Sequence, residues 1–60
     1  MRLGEIIKKE RINLGMSQRK LAEAAGVTHR AIIYWENGQR QMTVESADKV
    51  LKALHISVKI

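Results

Sequence analysis

At 60 residues the chain has room for one small domain, which buries only about 60% of the surface its unfolded form exposes and so leans on helix packing or a partner chain. No cysteine, two well-separated histidines and no apolar run of spanning length exclude disulfides, thiolate metal sites and a membrane helix. Eleven Lys and Arg against six Asp and Glu leave +5, which suits a polyanionic partner but also describes an ordinary solvated basic surface.

The basic excess is uneven, with six basic and two acidic groups in residues 1–20. No signal-type apolar stretch opens the sequence, so a cytoplasmic protein is expected. The first segment places Leu3, Ile7 and Leu14 on one helical stripe, with Ile6 at its edge. Gly4 is a poor helix former, so the first turn is expected to fray. Glu10 and Arg11 flank the stripe, and one of them should be partly buried and need a partner. Gly15 then ends the helix, as a glycine just past the last turn does.

One local device follows three times: Met16-Ser17, Val27-Thr28 and Met42-Thr43. In each, the hydroxyl can accept a hydrogen bond from an orphan backbone N–H. The apolar residue before it can staple onto Leu21, Ile32 or Ala47, weakly in the last case. The stops agree: Gly26 closes the second helix after Ala25, and Asn37-Gly38 closes the third after Trp35. The fourth helix carries Val44, Ala47, Leu51 and Leu54 on one face, widened by Val50, with His55 at the position where a closing glycine is usual. Then the period changes. Ile56, Val58 and Ile60 alternate with Ser57 and Lys59, which predicts a short C-terminal strand over 56–60.

The helices at 17–25 and 28–36, joined by a tight turn at Gly26, form a helix-turn-helix over 17–37. On the third helix Ile32 and Trp35 face one way, while His29, Arg30, Ile33 and Tyr34 face largely the other. Such a helix can enter a DNA major groove. Arg30 can pair bidentately with guanine or hold a phosphate. His29 can bond a base or phosphate or stay solvated. Tyr34 can donate to a phosphate while its ring packs on the motif. Ile33 can meet a thymine methyl or pack sideways, and Trp35 reads as core.

The run Ser17-Gln18-Arg19-Lys20-Leu21-Ala22-Glu23-Ala24-Ala25-Gly26-Val27-Thr28, with Ile32, Trp35, Glu36, Asn37 and Gly38 after it, resembles the phage repressor/Cro-like (XRE-like) DNA-binding domains. The likeness covers about residues 3–58 and implies one DNA-binding domain over 1–60, an all-α bundle of four helices whose dimers read operator half-sites. It implies that Ser17 and Gln18 contact a phosphate and that Gln18 braces the recognition helix. It further implies that Asn37, Arg40 and the loop amides around Gly38 form a second phosphate clamp. The base-facing positions are His29, Arg30, Ile33 and Tyr34. Arg11 matches an arginine that pairs with a glutamate at the end of helix three, here Glu36.

Many members continue into a fifth helix, where this chain has its alternating segment. A lone strand has unpaired edges, so Ile56, Val58 and Ile60 are expected to pair with their copies across a two-fold axis. A strand there also resembles the HipB-like antitoxins, small repressors that hold a toxin partner. The expected function is a homodimeric, sequence-specific repressor on a palindromic double-stranded operator. The alternative is an adaptor working through protein contact alone. No catalytic constellation, metal site, cofactor or small-molecule ligand is expected.

Overall fold

Each of the three predicted caps starts a helix. In the computed structural model, which describes residues 3–54, Ser17 Oγ accepts from the Lys20 N–H at 3.0 Å. Thr28 Oγ1 accepts from Ala31 at 3.1 Å and Thr43 Oγ1 from Ser46 at 3.0 Å. Caps of this kind are worth about 1 kcal/mol each. The helices are α1 (Leu3–Asn13), α2 (Gln18–Ala25), α3 (His29–Glu36) and α4 (Val44–Ala53).

The helix exits are built alike. After α2, Gly26 takes the left-handed conformation at φ 71°, and the Val27 N–H reaches back to the Ala22 carbonyl at 3.0 Å. An L side chain at that φ costs about 1–2 kcal/mol, so glycine fixes the sharp turn of the helix-turn-helix. The same five-residue reach-back closes α1, from Met16 to Arg11, and α3, from Gln39 to Tyr34.

Each helix sends one large apolar side chain to the centre. Ile7, Leu21, Ile32 and Val50 are all at most 1% exposed. Ala22, Ala25 and Leu54 complete this core, and the three residues preceding the caps, Met16, Val27 and Met42, pack against it. Helix α2 packs on both α3 and α4, while α1 packs on α3.

Four expectations change. The described residues form four helices and no strand, so the fold is all-helical rather than a bundle with a C-terminal strand. The dimer strand of Ile56, Val58 and Ile60 falls outside the described residues, as does the His55 cap. The correction has a physical reason: each of the four helices satisfies its own backbone groups, so the bundle forms without a strand among the described residues.

Leu14 leaves the core stripe because α1 stops at Asn13, and the turn carries it out to 48% exposure. Val44 is 89% exposed because α4 buries the line through Val50 and Leu54. Six residues along a helix amount to about 240° of rotation, which sets Val44 well round from Val50.

Gly4 lies within α1 rather than in a frayed turn. A Cβ there would stand 2.0 Å from the Trp35 carbonyl oxygen. The missing side chain is what lets the first turn of α1 lie against the last turn of α3.

Candidate nucleic-acid interface

Helix α3 buries Ile32 and Glu36, four residues apart and therefore on one face. Glu36 is a carboxylate whose side chain is 1% exposed. A buried charge left without a paired, hydrogen-bonding partner destabilises the fold by several kcal/mol. Arg11 Nε donates to Glu36 Oε2 at 2.8 Å, and Arg11 Nη2 to Oε1 at 3.1 Å. Gln18 Nε2 donates to the same Oε1 at 3.1 Å. The remaining arginine arm, Nη1, donates to the Met16 carbonyl at 2.8 Å. One cluster thus ties α1, the α1–α2 turn, the start of α2 and the end of α3 together. Among the described residues no buried side-chain nitrogen or oxygen lacks a partner.

Gly4, Ile7 and Arg11 are spaced three and four residues apart on α1, so all three face α3. Glu10 and Arg11 are both half-buried, and it is Arg11, on the side toward α3, that reaches a buried partner.

The other side of α3 is open. Arg30 is exposed, and His29, Ile33 and Tyr34 are half-buried. Two shallow grooves flank it. Thr28, Arg30, Ala31, Tyr34, Trp35 and Arg40 line one of about 310 Å³. Arg19, Ala22, Glu23, Val27 and His29 line the other. Arg19 was not singled out from the sequence, because nothing local to α2 reveals that it shares a groove with the first residue of α3.

Beyond α3 the backbone donors are already engaged. The Asn37 N–H bonds the Ile33 carbonyl at 3.1 Å, Gly38 bonds Trp35 at 3.2 Å, and Gln39 bonds Tyr34 at 2.9 Å. The loop amides around Gly38 therefore cap α3. Asn37 and Gly38 are exposed, and so is Arg40, whose guanidinium sits 5.0 Å from the centre of the Tyr34 ring. Ser17 is exposed at the α2 cap, and Gln18 is half-buried beside it.

Two helices of eight residues, a glycine turn, a buried arginine–glutamate clamp behind the second helix and an open basic face in front of it make one arrangement. The family model described as "Helix-turn-helix" matches residues 7–60. The chain belongs to the helix-turn-helix family. Its XRE-like character follows from the same match. This is a family of DNA-binding regulatory domains rather than of enzymes. A helix-turn-helix relative in Methanothermobacter thermautotrophicus is 37% identical over 49 residues, spanning 82% of this chain and 71% of its own. That protein is named an uncharacterized HTH-type transcriptional regulator. No solved structure matches the chain significantly. Among the described residues no helix is long and apolar enough to cross a membrane, and no group of three or more His, Cys, Asp and Glu is placed to hold a metal.

Proposed function

We propose that this helix-turn-helix chain is a sequence-specific transcriptional regulator that lays α3 in the DNA major groove. One observation carries the reading. The inward residues of α3 are fixed by core and clamp, while Arg30 is exposed and His29, Ile33 and Tyr34 keep part of their surface open. A rigid helix with free polar and apolar tips is what reading base edges requires.

Arg30 is the base reader in this proposal, through the acceptor pair of a guanine. Ile33 stands three residues on, His29 lines the neighbouring groove with Arg19, and the Tyr34 ring lies against Arg40 rather than among the readers. Ser17, Gln18, Asn37 and Arg40 lie at the two ends of the helix, where the flanking phosphates run, while the Gly38 N–H is already given to the Trp35 carbonyl. Gln18 gives one amide N–H to Glu36 and keeps the second for a phosphate. The transcriptional role agrees with the name of the Methanothermobacter relative.

A helix of eight residues is about 12 Å long and spans only three or four base pairs. One copy therefore reads too short a site to find an operator, and we assign the working form as a homodimer on a palindrome with half-sites about 34 Å apart. Repression is the simplest mode for such a dimer, since occupancy alone blocks a promoter. The narrower antitoxin role, with a toxin partner, rests on the expected strand over 56–60 and is not carried into this proposal.

Selection of bound duplexes from a random library at physiological salt tests the proposal. A two-fold symmetric motif with half-sites one helical turn apart is the expected result. Binding without a motif, uniformly weakened by salt, would overturn the specific reading and favour the adaptor.

A further inference from the structure

We infer that Tyr34 acts through Arg40: its ring is a platform that sets the guanidinium against a DNA phosphate beside the groove shared with Arg30. This rests on the DNA-binding reading above and deepens it. Arg40 lies six residues beyond Tyr34, a spacing that never brings side chains together on a continuous helix. They meet because the chain reverses at Gly38, which has φ 73°, and the Gln39 N–H then bonds the carbonyl of Tyr34 itself at 2.9 Å. The residue next to Arg40 is thus pinned to the backbone of its own stacking partner.

The guanidinium lies 5.0 Å from the ring centre, within the range of a cation–π contact. It forms no ion pair among the described residues, so its donors remain available. Arg30 lines the same groove, with Thr28 and Trp35. Two guanidiniums on one groove repel, and the negative face of the ring offsets that repulsion for Arg40. A stacked guanidinium also has less rotamer freedom to lose when a phosphate arrives. The tyrosine hydroxyl has no part in this scheme, which separates it from direct donation by Tyr34 to DNA.

The test is a mutant cycle on the full chain, measuring affinity for the selected duplex over a range of salt. Arg40→Ala should lower the slope of log affinity against log salt by about 0.9, the value of one phosphate contact. Tyr34→Leu should weaken binding about two- to fivefold when Arg40 is present and have no effect in the Arg40→Ala background. Tyr34→Phe should bind like the wild type. Thermal melts of each variant identify any loss that comes from unfolding, and the exposed Arg40 keeps one arm of the cycle clear of it. Equal losses from Tyr34→Leu in both backgrounds, or a Tyr34→Phe variant as weak as Tyr34→Leu, would overturn the platform while leaving DNA binding intact. A wild-type chain that binds no duplex would overturn the DNA reading, and the platform with it.

Discussion

The two faces of α3 obey opposite rules. Behind the helix, Glu36 is sealed from water and both its carboxylate oxygens are engaged by Arg11 and Gln18. In front, Arg30 and Arg40 keep their donors exposed, with only a tyrosine ring beside one of them. Charge on the inner face is spent on holding the fold. On the outer face it is held in reserve for a partner. Substitutions on the two faces should therefore fail differently, and that contrast can be broken.

The largest effect is expected at the clamp. Glu36→Ala leaves Arg11 and Gln18 without their shared acceptor, which costs about 3–5 kcal/mol in a buried pair. A domain of this size has little more than that in total, so urea denaturation followed by circular dichroism should find the variant largely unfolded at 25 °C. A variant that melts like the wild type would show that the clamp is not structural. Gly4→Ala comes next. A methyl group 2.0 Å from the Trp35 carbonyl oxygen forces α1 away from α3, at a cost of about 1–3 kcal/mol in stability. A gain in stability, as helix propensity alone would give, would show that α1 and α3 do not bear on each other at that point.

Arg30→Ala should leave the unfolding free energy within about 0.5 kcal/mol of the wild type in a denaturant melt. It should cost about 1–3 kcal/mol on the cognate duplex and relax the preference at one base pair. Competition between the cognate site and single-base variants reads this out. A uniform loss on every sequence would move Arg30 from base to phosphate and blur the division of labour between the faces.

What the sequence made legible is what is local. Caps, staples and glycine exits act within six or so residues, and Ser17, Thr28, Thr43, Gly26 and Gly38 could be placed on sight. Periodicity was a weaker guide, since it assumes that the helix continues. Leu14 fits the α1 stripe numerically but lies beyond its last turn, and Val44 fits an α4 stripe centred to one side of the buried one. Period-two alternation predicts a strand over 56–60, which lies outside the described residues, and those form helices alone.

Long-range geometry was the least accessible. Gly4 reads as a defect until the Trp35 carbonyl is found against it. The resemblance to the XRE-like domains pointed to Arg11 and Glu36, and the physical reason for Arg11 over Glu10 is visible only once Gly4, Ile7 and Arg11 are seen to line the side of α1 toward α3. The stack of Arg40 on Tyr34 exists only after the chain has turned.

The repeated exit hydrogen bonds have a consequence for how tightly such a small protein can hold DNA. Met16, Val27 and Gln39 belong to connectors, yet each donates to a carbonyl five residues back at 2.9–3.0 Å. The connectors are thus extensions of the helices rather than hinges between them. Association of two molecules already loses several kcal/mol of translational and rotational freedom, and ordering loops at the interface adds to it. Here the turns on either side of α3 are already ordered, so more of the contact free energy remains as affinity for an 8-residue helix.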